Sequence, residues 1–249
     1  MSKASVEGLP PLAIRAWLRY DVVRRVFERI APRTVLEVGC GQGAIGARLA
    51  QHSEYLAVEP DDSSFAVADS RIRPVGGTVL HGVHADVPAD ATFDVVCAFE
   101  VLEHLEDDNQ ALKDWVASIR PGGHLVMSVP AFQSRFGPMD TNAGHFRRYE
   151  PQQLRAQLEA AGLVDVRTTV YGWPLGYALE AVRNRIDARK LERRDASMED
   201  LTYASGRTFQ PPNRIVGLVV AVLVRPFILL QRLRPDRGIG MVASARKPA

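Results

Sequence analysis

The sequence predicts an α/β fold: a doubly wound, mostly parallel seven-stranded sheet with an α-helical insertion before the last strand. Three observations carry that expectation. β-Branched apolar runs alternate with segments of helical periodicity from residue 11 to residue 171. A glycine-rich turn, GCGQGAIG at residues 39–46, directly follows the first such run. About 65 residues then separate the strand-like VDVRTTVY from a last strand-like segment, GIGMVASARK at 238–247, far more than a hairpin needs.

The elements follow in order. Residues 11–30 put Ile14, Trp17, Leu18, Val22, Val26, Phe27 and Ile30 on one helical face, and Pro32 marks the end. TVLEV enters the glycine turn as the first strand, and AIGARLAQ continues as a helix. YLAVEP is the second strand, followed by a helix in DDSSFAVADSR behind Asp and Ser caps. Strands at TVLHGV and FDVVCAF, a helix over 107–119 and the strand HLVMSVP after the turn Arg120-Pro121-Gly122-Gly123 come next. A loop runs to about Tyr149, a helix from Pro151 to near Gly162, and VDVRTTVY is the sixth strand. The organisation is an N-terminal helix (1–32), a ligand-binding α/β domain (33–171), a helical insertion (172–237) with helices near 174–195 and 213–233, and the last strand (238–249).

An apolar content of 46% with 24% charged residues is that of a well-packed globular chain. The net charge of +2 points to no polyanionic partner, but residues 1–171 carry 17 Lys+Arg against 22 Asp+Glu, and residues 172–249 carry 14 against 7. The basic C-terminal third is either a solvated face or a contact for something anionic. Cys40 and Cys97 lie in apolar runs without metal spacing, which reads as two free thiols in a reducing compartment. The first residues lack the pattern of a secretory signal, so the expected location is cytoplasmic. The run IVGLVVAVLV at 215–224 is about half the length of a bilayer-spanning helix and is not read as one.

GQGAIG matches the G-x-G-x-x-G fingerprint of dinucleotide sites, which by itself decides little. Gly39, Gly41 and Gly43 let a ligand approach the backbone, and Glu59, ending the second strand, can accept hydrogen bonds from ribose hydroxyls. Glu37, inside the first strand, disfavours a diphosphate and suits a cationic ligand; the bland alternative is a buried acid satisfied by local donors.

Three ordered motifs, VLEVGCGQG, AVEPD and FDVVCAFEVLEHLEDDNQALKDWVASIRPGGHLVMSVP, resemble class I S-adenosylmethionine-dependent methyltransferases, in particular the small-molecule, lipid and glycan-tailoring branch. The resemblance implies a Rossmann-like methyltransferase sheet and S-adenosylmethionine as cofactor. It places Glu37, Gly39, Cys40, Gly41 and Gly43 at the methionine end, Glu59 at the ribose and Glu100 close to the sulfonium. The family's adenine acid falls at Val83 in this alignment, so Asp86 takes that role, with His84 or Ala85 beside it. Glu103 and His104 lie on the turn after Glu100, and His104 is read first as structural.

The acceptor side is read from QSRFGPMDTNAGHFRRYEPQQL, the loop after the fifth strand. Its GHFRRYEPQQL resembles a G-H-x-R-R-Y segment of bacterial methyltransferases that tailor glycans or lipids. His145 is the candidate catalytic base for an acceptor hydroxyl, with Asp140 orienting it, and Asp140, Arg148 and Tyr149 are candidate acceptor contacts. In the competing reading, His145 and the arginines only tie the loop to the next helix. The acids do not cluster as an oxygen cage, so no metal site is expected.

The expected function is methyl transfer, to oxygen, of a small-molecule, sugar or lipid acceptor. A non-catalytic S-adenosylmethionine-binding protein and a dehydrogenase are the rivals. No Asn/Asp-Pro-Pro-aromatic signature follows the fourth strand, so no nucleic-acid partner is expected, although RNRIDARKLERR at 183–194 leaves RNA contact open. The apolar helix near 213–234, flanked by Arg214, Arg225, Arg232, Arg234 and Arg237, is either a core or homodimer helix or an interfacial segment giving peripheral membrane contact.

Overall fold

The computed structural model describes residues 9–191 and 213–249. Parts of the expected N-terminal segment and insertion, residues 1–8 and 192–212, lie outside the described residues, as does the end of the basic stretch 183–194.

Helix α1 (Ile14–Ile30) precedes β1 (Thr34–Val38). Then follow α2 (Gly46–Leu49), β2 (Glu54–Glu59), α3 (Asp62–Ile72), β3 (Thr78–His81) and β4 (Phe93–Phe99). The second half runs α4 (Asp108–Ala117), β5 (Ile119–Pro130), α5 (Pro138–Ala143), α6 (Pro151–Ala160), β6 (Val164–Gly172), α7 (Leu175–Leu191), α8 (Arg214–Arg232) and β7 (Gly238–Arg246). Among the described residues the strands form one seven-stranded sheet in the order β3-β2-β1-β4-β5-β7-β6. The five strands β1–β5 pair in parallel, whereas β7 is antiparallel to both β5 and β6. This is the expected doubly wound, mostly parallel sheet.

The alternation along each strand builds two cores. Val35 of β1 and Val95, Cys97 and Phe99 of β4 face the side covered by α1, α2 and α3. Leu36 and Val38, with Val96 and Ala98, face the side covered by α4 and α6. Strand order reverses between β1 and β4, which opens a crevice at their carboxyl ends.

Three expectations are corrected. AIGARLAQ yields only the four-residue α2, because Gly41 and Gly43 hold positive φ and the chain turns again after Leu49. The Arg120–Gly123 turn is absorbed into β5, at a register shift against Phe93 and Val95. The loop before Tyr149 contains α5, started by Pro138 and closed by Gly144 at φ 76°.

Helix α8 departs furthest from a core helix. Among its described side chains it fully buries only a stripe at heptad spacing, Gly217, Val224 and Gln231, with Phe227 and Ile228 partly buried beside it. A Cβ at Gly217 would collide with Pro11, Gln231 donates to the Leu18 carbonyl at 3.0 Å and accepts from the Gly172 amide at 3.0 Å, and Arg232 pairs with Asp21. Ile215, Leu218, Val219, Val222, Leu223, Leu229 and Leu233 are all at least half exposed. The helix runs through Pro226, so Ile215–Arg232 has a mean hydropathy of 2.0 and is long and apolar enough to cross a membrane by length and composition. The helix thus spans nearly the expected 213–233, its apolar stretch runs on past the ten-residue run, and most of its face is not buried against this chain.

Candidate functional site

The site begins at the glycine turn. Gly39 has φ 69° and Gly41 φ 54°, values that side chains rarely allow. A Cβ on Gly39 would approach Val101 Cγ2 at 2.8 Å, so the segment after β4 closes against the turn. A Cβ on Gly41 would meet nothing within 4 Å, so that side of the turn is open.

Glu59 ends β2 beside this opening. Its Oε2 accepts from the Gly41 amide at 2.7 Å and its Oε1 from the Asp61 amide at 3.1 Å. Burial pushes the Glu59 carboxyl upward, and these two donors hold it back. A diphosphate needs free amides at such a turn and a helix dipole behind them. Here an acid occupies the Gly41 amide, and the helix behind is one turn long.

Glu37 is not on the open face. It is 2% exposed, lies in register between Ala57 and Cys97, and accepts a hydrogen bond from the Tyr55 hydroxyl. Burial raises its carboxyl to about 7, partly offset by that bond. Glu37 thus lies beneath the turn, held by Tyr55, and not on its open side. Cys40 is half-buried at the turn, its thiol pushed up by burial.

Glu100, immediately after β4, adopts φ 59°. Its Oε1 accepts from Ser128 Oγ at 2.9 Å and Tyr171 Oη at 3.2 Å, and pairs with Arg19 at 3.3 Å. Burial pushes this carboxyl up, but Arg19 and Arg15 outweigh it and hold it below the usual range. Asp86 lies on an exposed 3-10 turn after β3, where its Oδ2 accepts from the Val83 amide at 2.8 Å.

On the acceptor side, His145 Nδ1 lies 2.8 Å from Asp140 Oδ1. Burial pushes the Asp140 carboxyl up, but hydrogen bonds from His145 and Arg148 hold it at about 2. An ionised acceptor on Nδ1 places the imidazole proton there and leaves Nε2 as the free lone pair. Asp140 thus orients His145, as the sequence suggested.

As acceptor contacts, Asp140, Arg148 and Tyr149 are corrected: all three are buried and already partnered. Arg148, 1% exposed, donates through Nε and Nη2 to Asp140 at 2.8 and 2.6 Å and through Nη1 to Glu180 at 2.6 Å. Tyr149 Oη donates to Asp108 Oδ2 at 2.9 Å. These side chains hold the loop instead of facing a substrate.

Residues missed from sequence complete the picture. Arg15 and Arg19, one turn apart on α1, project toward α5 and Glu100: Arg15 reaches Met139 Sδ at 3.0 Å. Their i, i+4 spacing at the start of α1 was the available signal. Glu180 of α7 receives both Arg148 and Arg135, and no local pattern marks it. Glu103 and His104 face His145, whose ring lies 4.7 Å from that of His104. This convergence runs against the expectation that no metal ligands cluster. A separate cleft of about 460 Å³, lined by Ile30, Arg33, Asp94, Arg120 and His124, opens at the amino ends of the strands, away from all these groups.

A family model described as a methyltransferase domain matches residues 14–168. The chain belongs to that family. Two relatives of this chain carry the name probable S-adenosylmethionine-dependent methyltransferase. One, from Mycolicibacterium smegmatis, is 38% identical over 149 residues, covering 58% of this chain and 57% of the relative. The other, from Mycobacterium tuberculosis, is 36% identical over 158 residues, covering 60% and 56%. The match thus spans little more than half the length of these relatives. Among solved structures, the N-methyltransferase NodS of Bradyrhizobium japonicum in complex with S-adenosyl-L-homocysteine superposes with a TM-score of 0.57 at 16% identity, over 93% of this chain and 86% of that one. The YcgJ protein of Bacillus subtilis gives 0.61 at 14%, over 93% and 99%. At such identities the likeness shows the fold, a Rossmann-like class I methyltransferase sheet.

Proposed function

We propose that this methyltransferase uses S-adenosylmethionine and transfers the methyl group to an oxygen of a small-molecule, sugar or lipid acceptor. The observation that carries the cofactor reading is Glu59 on the Gly41 amide: an acid stands where a dinucleotide's diphosphate would need a free donor. Buried Glu37 behind the turn adds negative potential that favours a cationic ligand.

S-adenosylmethionine, when bound, supplies an electrophilic methyl on a sulfonium. Glu59 holds the ribose hydroxyls, Asp86 serves the adenine, Gly41 gives close backbone approach, and Glu100 adds negative charge near the methyl end. The chain's remaining tasks are to align the acceptor, exclude water and deal with its proton. His145 carries the acceptor-side chemistry, oriented by Asp140, with Nε2 as its working atom.

A lipid-borne acceptor is supported by α8. Its exposed apolar face lacks acids, and Arg225, Arg234 and Arg237 flank it, a combination suited to an anionic lipid surface. With Gly217, Val224 and Gln231 seated on the protein, this helix would lie along a membrane instead of crossing it. The free thiols Cys40 and Cys97 fit a reducing, cytoplasmic side.

The test is direct. Calorimetry with S-adenosylhomocysteine and, separately, NADH identifies the cofactor, and transfer of labelled methyl to a panel of hydroxylated sugars and lipids identifies the acceptor class. Tight NADH binding with no S-adenosylhomocysteine binding would sink the reading. Binding without transfer to any acceptor would favour the non-catalytic alternative.

A further inference from the structure

Glu103, His104 and His145 each offer one ligating atom, and these atoms all lie within 4.8 Å of one another. The fold brings them together: the Glu103 carbonyl accepts from the Phe146 amide at 2.8 Å, which ties the acceptor loop to the segment after β4. Glu103 is fully buried, yet neither carboxylate oxygen has a hydrogen-bond partner. His104 Nδ1 is also buried without a partner.

A carboxylate in that state is costly unless a cation meets it. Arg19, paired with Glu100 through Nη1, offsets the Glu103 charge only in part and makes no hydrogen bond to it, and Arg148 is committed to Asp140 and Glu180. A protonated Glu103 would not solve the problem, because its hydroxyl has no acceptor; the nearest imidazole nitrogen, His145 Nε2, is 4.0 Å from Oε1.

The imidazoles are prepared in a complementary way. His145 gives its Nδ1 to Asp140, and His104 is hydrogen-bonded to the Gly144 backbone. Each therefore has one nitrogen anchored and the other free as a lone pair, the arrangement that orients metal-binding histidines. Two imidazoles and one carboxylate suit a borderline divalent ion and leave a coordination position open. With ligand bonds of about 2.0–2.1 Å, donor atoms on a shared ion lie roughly 3.3 Å apart, a closure that small side-chain rotations supply.

We propose that Glu103, His104 and His145 bind one divalent first-row transition cation of the Zn²⁺, Mn²⁺ or Fe²⁺ type, between the end of β4 and the acceptor loop. The site itself is independent of the proposed reaction; its role rests on that reading. An acceptor hydroxyl at the open position loses its proton to solvent water as the cation lowers its pKa. The resulting alkoxide forms the new C–O bond while the S–CH₃ bond breaks, its electron pair passing to sulfur to leave a neutral thioether. His145 then serves as ligand, and the proton never resides on it.

Untagged protein is stripped with chelator and titrated with Co²⁺, read by its visible d–d absorption, and with Zn²⁺ by calorimetry. One equivalent is expected to bind at micromolar concentration or tighter and to raise Tm. Glu103→Gln and His104→Gln are expected to weaken binding at least 30-fold, while His52→Gln, an exposed histidine outside the cluster, leaves it unchanged. The Tm shift of the unaltered chain guards against variants that fail to fold. No stoichiometric binding, or binding undiminished in both cluster variants, overturns the site. S-adenosylhomocysteine affinity measured in the stripped protein reports separately on the cofactor reading, so the two cannot fail indistinguishably.

Discussion

The Glu59 carboxylate accepts the Gly41 backbone amide across 18 residues of sequence, and in doing so turns a dinucleotide-like bend into an acidic one. Glu59→Gln is expected to weaken S-adenosylhomocysteine binding by about tenfold or more, the range of a charge-assisted hydrogen bond, on the order of 1.5–3 kcal/mol. Isothermal titration calorimetry checks it; unchanged affinity would remove Glu59 from the cofactor site.

His145 holds its Nδ1 on Asp140 and so keeps Nε2 for chemistry. His145→Ala is expected to lower turnover at least about tenfold with little change in cofactor affinity. Steady-state kinetics beside calorimetry make the separation, and near-normal turnover would leave His145 a structural residue.

Arg148 is a buried cation shared by Asp140 and Glu180. Arg148→Met leaves the buried Asp140 carboxylate facing no guanidinium and Glu180 with Arg135 alone, a loss of about 3–5 kcal/mol. The fall in Tm should be on the order of 10 °C. A drop under about 3 °C would mean that water or a rearranged Arg135 takes over.

Glu37 gives a pH dependence of definite sign. Its carboxyl titrates near 4.5 when unfolded and is raised by burial to about 7 in the fold. The folded state therefore binds more protons between those values, and stability from the protonated form is present below about 4.5 and lost as pH rises through about 7. The total is about 3 kcal/mol. Urea denaturation at pH 5 and pH 8 should show this loss in the unaltered chain and a smaller one in Glu37→Gln; parallel losses would sink the assignment.

The exposed face of α8 should matter to lipid and not to folding. Leu223→Glu with Leu229→Glu is expected to change stability by no more than about 0.5 kcal/mol per site while abolishing flotation with anionic vesicles. Flotation that persists, or a dimer that covers the face in sedimentation, would count against the membrane role.

Much of the fold was legible from pattern. Alternating runs located all seven strands, and Pro32, Asp61 and Pro151 marked helix boundaries because caps and proline act within a turn of the chain. Gly39, Gly41 and Gly43 were legible for the same reason, since positive φ is a local demand. The extent of α8, near 213–233, was legible too, but not how much of its apolar face stays uncovered, because that depends on what packs against it.

By itself, then, the sequence determined the layered α/β architecture, the glycine bend and the acid that ends β2. Only the tertiary structure decided which polar side chains are spent. It turned Arg148 and Tyr149 inward, withdrew Glu37 beneath the bend and set Glu103 beside His104 and His145. The reason is physical: periodicity and backbone dihedrals are settled by neighbours in the chain, whereas the partner of a charged group is settled by residues tens of positions away, 41 for Tyr149 and Asp108 and 32 for Arg148 and Glu180.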